Sequence, residues 1–480
     1  MPLLRRARAA AVVTALLAGG CLAASLPAGA EPVVVVAEPG CIQPGPTLRY
    51  LVVFPRGTTP ASAEAEIGTA CGFTTVYYPE IAVAVATSPD PSFLKLIGPD
   101  RAYSAQAERT GKRAEKRKKD ETELLSASGI SSRAAEQWDM DLIQAPEAHL
   151  VSTGSKSVVV GVLDSGVDPN HPELADALAP ELSAGCLTGQ PDQAAAAWSP
   201  TTSAHGTHVA GTIAAANDGR GVTGVAPGVR LASVKVVDDD GYILPEYAVC
   251  GFMWAAAKNM TITNNSYFVD PWLFTCQNEP GQSVVYEAVK RAVDYASSRN
   301  VLNVAAAGNN GVDLTRPGHD TASPTNAAEP RSRGVDASCV MLPAQLPKVV
   351  GVSSVSSTST KAGYSSYGLG AIDVTAPGGD QRDKPGCVLS TVPSGYDYSC
   401  GTSMATPHAS GVAALIASTH PEADAASVGK MLNAQAKTVA CPADYDLNGT
   451  GVQDAFCTGY SEYNSFYGHG MVDALAAVTN

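Results

Sequence analysis

The stretch VVVGVLDSGVDPNHPEL, residues 158–174, decides the fold. Its first six residues are apolar or glycine with no polar residue at alternate positions, so neither face of the strand they form is meant for water. A run of this kind belongs inside a parallel sheet. It ends on Asp164, followed by the turn residues Ser165, Gly166, Pro169 and Pro172. Similar short runs recur outward from it: VRLASVKVV (229–237), ITNNSY (262–267), VLNVAAAG (301–308), KVVGVSSV (348–355) and IDVTAPG (372–378). Segments of helical character lie between them at 207–216, 247–258 and 284–299. This β-α-β alternation predicts an α/β fold over residues 138–480, a doubly wound, mainly parallel sheet with helices on both faces. In such sheets the chemistry gathers at the carboxyl ends of strands, where Asp164 stands.

Upstream, residues 1–30 read as an export signal: Arg5, Arg6 and Arg8, an apolar run over 9–18, then Ala28-Gly29-Ala30. Gly19 and Gly20 cut the run short of the roughly 20 apolar residues a membrane span needs, so a secreted, extracellular protein with no membrane partner is expected once the signal is removed. Cys21 follows Ala18-Gly19-Gly20, a poor context for a lipid anchor. Of the 11 cysteines, Cys21 lies in the signal and an even ten follow it, which in an oxidising compartment predicts disulfides. The sequence-local pairs Cys387 with Cys400 and Cys441 with Cys457 are expected, and no cysteine spacing resembles a zinc site. Residues 47–100 carry a β-α-β-β-α pattern, a compact α+β module. Residues 106–124 are polar and highly charged, either an exposed linker or a solvated helix. The net charge of −14 comes from acidic excess beyond Trp138. An acidic body excludes nucleic acid and anionic membrane as partners, because both require a basic face.

Three motifs carry chemistry: Asp164 at its strand end, His205 in SAHGTHVAGTIAAAN, and Ser403 in GTSMATPHASG. A serine hydroxyl is a weak nucleophile until a histidine takes its proton and a carboxylate fixes the histidine's tautomer. Gly206 allows the backbone beside His205 to pass close, and the apolar face of the following helix fixes the imidazole. Gly401 permits a sharp entry to a helix that begins at Ser403, so the nucleophile sits at a positive helix end. A tetrahedral intermediate also needs hydrogen-bond donors, and Asn309, presented after VLNVAAAG, supplies a side-chain amide. His208 and His408 lie further inside their helices and read as structural. Two other readings remain. An esterase would carry Gly-x-Ser-x-Gly and the order Ser, Asp, His, and neither occurs here; a non-catalytic binding protein on the same scaffold would have no need of all four positions.

With these positions in view the chain resembles the subtilases, the subtilisin-like serine peptidases. The resemblance covers about residues 138–478, from QWDMDLIQAPEAH through DSGVDPNHPEL, HGTHVAGTIAAANDGRGVTGVAP, NNSYF, AAAGNNG and GTSMATPHASGVAALI to YGHGMVDALAAV. It implies a serine endopeptidase, with Asp164 orienting, His205 as base then acid, Ser403 as nucleophile and Asn309 completing the oxyanion hole. Polypeptide substrates and a monomer are expected. The module within residues 31–137 resembles the family's inhibitory propeptide, an intramolecular partner that is later cut away. The resemblance also implies a substrate strand beside Asn264-Asn265-Ser266, and a first side-chain pocket among Ser266, Tyr267, Phe268, Ala306, Ala307 and Gly308. Relatives usually keep glycine where Phe268 stands, so their side-chain preference does not transfer. No organic cofactor is expected. A structural calcium is implied at the loop 216–222, with Asp218 and Glu173 as ligands, although relatives usually have aspartate in place of Glu173. A second candidate loop, 444–449, opens like a calcium loop but has Ala455 at position 12, and its other reading is an Asx-rich turn.

Overall fold

The computed structural model describes residues 40, 41, 45–107, 125, 126, 131–327 and 329–480. The expected signal and nearly all of the charged linker fall outside the described residues. The module is an antiparallel sheet of β1 (Leu48–Val53), β2 (Phe73–Tyr78), β3 (Val83–Ser88) and β4 (Ala102–Tyr103), in the order β2-β3-β1-β4. Helices α1 (Pro60–Thr69) and α2 (Phe93–Ile97) join it, and the side chain of Thr59 caps α1. Alternate residues serve opposite faces: Tyr50, Val52, Ala84 and Ala86 pack with Ile67 and Phe93, while Leu51, Val83 and Val85 pack against the main body.

The body holds a seven-stranded, all-parallel sheet: β5 (Val159–Asp164), β6 (Ala184–Gly185), β7 (Arg230–Lys235), β8 (Ile262–Asn265), β9 (Leu302–Ala306), β10 (Val349–Val355) and β11 (Val374–Pro377). Six of the seven coincide with the runs read from the sequence; the two-residue β6 is too short to leave a pattern. The strand order is β11-β10-β9-β8-β5-β7-β6. Strand order therefore departs from β5 in both directions, and the crevice at its carboxyl end is where such sheets place ligands. Val160 and Val162 face one side and Val159 and Leu163 the other, as a strand buried on both faces requires. Helices α3 (His205–Ala214) and α6 (Thr402–Thr419) cover the first side; α4 (Pro245–Ala257) and α5 (Gln282–Ser298) cover the second. All five disulfides among the described residues include the two expected pairs, with Cys41–Cys71, Cys186–Cys250 and Cys276–Cys339 in addition. No helix among the described residues is long and apolar enough to cross a membrane.

The module's second sheet face rests on α4 and α5. Arg291 on α5 donates from Nη1 to the carbonyls of Phe54 (2.8 Å) and Ile81 (3.0 Å), and Arg49 reaches Glu246 at 3.6 Å. Inside the body, His408 of α6 places Nδ1 2.7 Å from the Met404 carbonyl and Nε2 2.9 Å from Asp139 Oδ2, with both side chains 0% exposed. Removing one member of a buried hydrogen-bonded pair leaves the other unsatisfied. Asp139→Ala should lower the unfolding free energy by about 1–3 kcal/mol, with Asp139→Asn costing less because it keeps an acceptor. Urea denaturation in a Ser403→Ala background, which prevents self-digestion, measures both.

Candidate active site

Asp164 ends β5 with its side chain 1% exposed, and its Oδ1 and Oδ2 lie 2.8 and 3.0 Å from His205 Nδ1. Oδ1 also accepts the Ser165 N–H at 2.7 Å. The imidazole therefore donates a hydrogen bond from its Nδ1–H to the carboxylate and leaves Nε2 as the basic nitrogen. His205 opens α3, and the backbone next to it is crowded: a Cβ on Gly206 would stand 2.5 Å from the Gly166 carbonyl oxygen and 3.1 Å from Asp164 Oδ1. Glycine at 206 is what brings helix and strand close enough for this contact. Burial alone would depress the His205 pKa, but the charge and hydrogen bond of Asp164 outweigh it and the net shift is upward from 6.5. His208, one turn further in, is pushed down to about 3 by burial and the neighbouring His205 charge. It stays neutral, with Nε2 3.2 Å from the Val388 and Asp397 carbonyls, in keeping with its structural reading.

Ser403 is the second residue of α6, after the cap Gly401. Pro407 lies inside this helix. It has no N–H, so the Ser403 carbonyl loses the partner it would have four residues on. The Ser266 hydroxyl donates to that carbonyl at 2.9 Å, and Ser403 Oγ donates back to the Ser266 carbonyl at 3.0 Å. The Ser403 proton is thus turned toward Ser266, and His205 Nε2 does not receive it in this conformation. Ser266 is itself oriented by Asn264 Nδ2 (2.9 Å), whose Oδ1 accepts from Ser410 of α6 (2.9 Å).

Asn309 follows Gly308, which turns the chain at φ +88. Its Oδ1 accepts both the N–H (2.9 Å) and the hydroxyl (2.7 Å) of Thr402. That assigns the amide: the oxygen meets two donors, and Nδ2 is left facing Gly401. A Cβ built on Gly401 would lie 3.2 Å from Asn309 Nδ2 and 3.6 Å from the Ser403 nitrogen. The Asn309 amide nitrogen and the Ser403 nitrogen thus border the same space beside Gly401. A cavity of about 350 Å³, lined by Asn309, Tyr364, Arg382 and Cys400, adjoins it.

The expected substrate residues divide. Strand β8 is paired on both sides, by β5 and β9, so Asn264 and Asn265 are not at an edge, and backbone free for a substrate begins at Ser266. Tyr267 is buried with its hydroxyl donated to Asn265 Oδ1 at 3.1 Å, which leaves its backbone for the cleft. Phe268 is half-buried against Ala307 and Met341, while Ala306 and Ala307 are buried at the end of β9. Thr402, Met341 and Pro407 were missed as site residues. Pro407 stands four residues after Ser403 and could have been found from helix geometry; Met341 sits in a proline-rich stretch with no periodic signal.

For calcium, Glu173 Oε1 accepts the Tyr396 hydroxyl at 2.7 Å, while Oε2 is buried without a hydrogen-bond partner. Burial raises the Glu173 pKa, the Tyr396 hydrogen bond opposes this, and nearby Asp218 raises it further. Asp218 accepts the Arg220 N–H at 3.0 Å, pairs with the Arg220 guanidinium at 3.6 Å and is half-exposed. An orphaned carboxylate oxygen close to a second carboxylate fits a hard cation, although no group of three or more His, Cys, Asp or Glu that could hold a metal occurs among the described residues. In the 444–449 loop, Asp446 accepts the N–H groups of Thr450 and Gly451 at 2.8 Å, and Asp444 accepts from Asp446 (3.0 Å) and Gln453 (2.9 Å). Those carboxylates are already satisfied, as in the Asx-turn reading.

A family model described as "Subtilase family" matches residues 155–470. Subtilisin NAT of Bacillus subtilis subsp. natto is 35% identical over 289 residues, which are 59% of this chain and 61% of that protein. The subtilisin of Bacillus pumilus is 35% identical over 59% of this chain and 85% of its own length. Among solved structures, the epidermin leader peptide processing serine protease of Staphylococcus aureus superposes with a TM-score of 0.66 at 20% identity, covering 90% of this chain and 98% of that one. A lanthipeptide protease does so with a TM-score of 0.55 at 25% identity, covering 72% and 94%. Because the family match takes in well over half of its residues, around the aspartate, histidine and serine just described, the chain belongs to the subtilase family.

Proposed function

We propose that the chain is a secreted serine endopeptidase made as a zymogen that processes itself. The observation that carries this reading is the 2.8 Å contact of the Asp164 carboxylate with His205 Nδ1, beside a helix start that presents Ser403. On substrate binding, the Ser403 hydroxyl turns from the Ser266 carbonyl to His205 Nε2, which takes its proton as Oγ attacks the peptide carbonyl. The carbonyl π pair moves onto oxygen, where Asn309 Nδ2 and the Ser403 N–H stabilise it. His205 returns the proton to the departing amine, and water, activated in the same way, releases the acid and restores Ser403. Fluorophosphonate labelling of purified mature protein tests this directly: the probe should attach to Ser403. A correctly folded protein that takes up no label would favour the non-catalytic binding reading.

Asp164→Asn should lower kcat by about four orders of magnitude while leaving the fold intact. The pH profile supplies the mechanism's signature. Activity needs neutral His205, so the upward pKa shift means kcat/KM falls as pH drops through a value above 6.5. With the carboxylate gone only burial acts, and the acid limb should move to lower pH; a stopped-assay pH series reads it.

The propeptide reading draws support from the module's apolar sheet face on α4 and α5 and from the Arg291 contacts. Beyond β4, Asn326 donates to the Ala105 carbonyl at 2.8 Å and Tyr103 stacks on Trp272, so the module's last described residues stay on the body. Secretion is supported by five disulfides. Ser403→Ala should accumulate as uncleaved precursor on a denaturing gel, and mature-sized protein from that variant would assign processing to another protease.

A structural calcium would be held by Glu173 and Asp218, relieving the like-charge pair and the orphaned Oε2 and thereby fixing the loop that follows α3. Chelation should lower Tm by about 5 °C, and Glu173→Gln should abolish the difference between chelated and calcium-loaded protein in a thermal scan.

A further inference from the structure

We propose that the pocket for the acyl-side residue of the substrate is filled by the protein's own Met341 and Phe268, so that cleavage follows glycine, alanine or serine and large apolar residues are rejected; this rests on the peptidase reading above. The placement follows from the reacting atoms. The substrate carbonyl carbon must reach Ser403 Oγ while its oxygen faces Asn309 Nδ2 and the Ser403 N–H. Strands β8 and β9 are parallel neighbours, with Asn265 level with Ala305, so the segments 266–268 and 307–309 leave their carboxyl ends side by side. The side chain of the acyl residue enters between them.

An apolar cluster borders that space. Gly308 presents no side chain to it, yet a Cβ there would lie 2.8 Å from Met341 Cε and 2.9 Å from Met341 Sδ. The thioether therefore lies directly against the Gly308 backbone. Across the gap, the Phe268 ring packs into the same apolar cluster, with Leu273, Phe274, Ala307 and Leu314. Met341 is 0% exposed and its backbone is held from both sides. Its N–H donates to Gln345 Oε1 at 2.8 Å, its carbonyl accepts the Gln345 N–H at 3.0 Å, and Gln345 Nε2 is tied to the Leu314 carbonyl at 3.0 Å. Just before it, Thr275 pairs with Val340, and the Cys276–Cys339 disulfide locks that pairing. A methionine can change rotamer, but Met341 is fully buried with its backbone fixed, so on this inference a phenylalanine or leucine on the substrate meets a wall. An added methylene in an apolar pocket shifts selectivity by about 10–200-fold, and a benzyl group adds several heavy atoms beyond alanine.

The test measures kcat/KM of the mature enzyme on succinyl-Ala-Ala-Pro-X p-nitroanilides with X as Gly, Ala, Leu or Phe. The Ala substrate should exceed the Phe substrate by about 100-fold or more. Met341→Ala and, separately, Phe268→Ala should each raise the Phe-to-Ala ratio at least about tenfold. A ratio does not depend on the folded fraction, and half-buried Phe268 provides a variant should the buried Met341 substitution misfold. Wild-type enzyme that cleaves the Phe substrate as well as the Ala substrate overturns the inference, as does a ratio unmoved in both variants. If no substrate is cleaved and fluorophosphonate fails to label Ser403, the peptidase reading itself falls.

Discussion

A missing N–H fixes the position of the nucleophile. Pro407 cannot donate to the Ser403 carbonyl, and an unpaired buried carbonyl is costly, so a donor must come from elsewhere. Ser266, at the carboxyl end of β8, provides it at 2.9 Å and receives the Ser403 hydroxyl in return at 3.0 Å. Because Ser266 is oriented by Asn264, and Asn264 by Ser410, the helix is tied to the sheet at two points one face apart. The helix start cannot slide or rotate without breaking this closed set of buried polar contacts. What looks like a helix defect is the reason Ser403 has a defined place relative to the sheet edge.

The same sheet edge sets the other groups. Asp164, Ser266 and Asn309 follow the carboxyl ends of β5, β8 and β9, which are adjacent in the sheet, so their spacing is inherited from strand spacing. His205 and Ser403 come from α3 and α6, packed together on one face. Two glycines lie at the close approaches: Gly206 brings His205 onto Asp164, and Gly401 sits beside both the Asn309 amide nitrogen and the Ser403 nitrogen. Preorganisation here is a consequence of backbone proximity. Side-chain contacts then finish the orientation, most visibly where Thr402 grips the oxygen of Asn309 and so aims its nitrogen.

Much of this was legible because buried parallel strands write themselves as unbroken apolar runs. The structure brings together Asp164 and His205 of the motifs picked out in the sequence, and six strands and the three helices between them could be read directly. So could Cys387–Cys400 and Cys441–Cys457, separated by 13 and 16 residues. Cys186–Cys250 and Cys276–Cys339, with separations of 64 and 63, depend on tertiary placement that no local pattern encodes. The hairpin of Val388–Val392 and Gly395–Ser399 was passed over although it holds α3 through Ser390 and Thr391, whose hydroxyls donate to the carbonyls of His208 and Thr207. The substrate strand at Asn264-Asn265-Ser266 came from the family resemblance alone; in the structure the two asparagine amides are consumed locally, Asn264 Nδ2 by Ser266 Oγ at 2.9 Å, and Asn265 Nδ2 by Thr263 Oγ1 at 2.9 Å and the Val304 carbonyl at 3.0 Å. Polarity in a strand signals a partner as readily as it signals water.

The docking of the module on α4 and α5 separates two events that a zymogen reading might merge. Among the described residues, the contacts that hold the module come from before residue 107: the apolar face of Leu51, Val83 and Val85, the two carbonyls gripped by Arg291, and the Arg49 approach to Glu246. What a cut beyond that point removes is the tether, and with it the high effective concentration that a linker imposes. On the zymogen reading proposed above, a cleaved module would therefore stay bound until dilution or its own degradation removed it. Small domains of this size bury little core of their own, so the face that leaves α4 and α5 is also a substantial part of the module's stability. Away from α4 and α5 the module's sheet would be covered on one side only, with the short two-residue β4 at its edge.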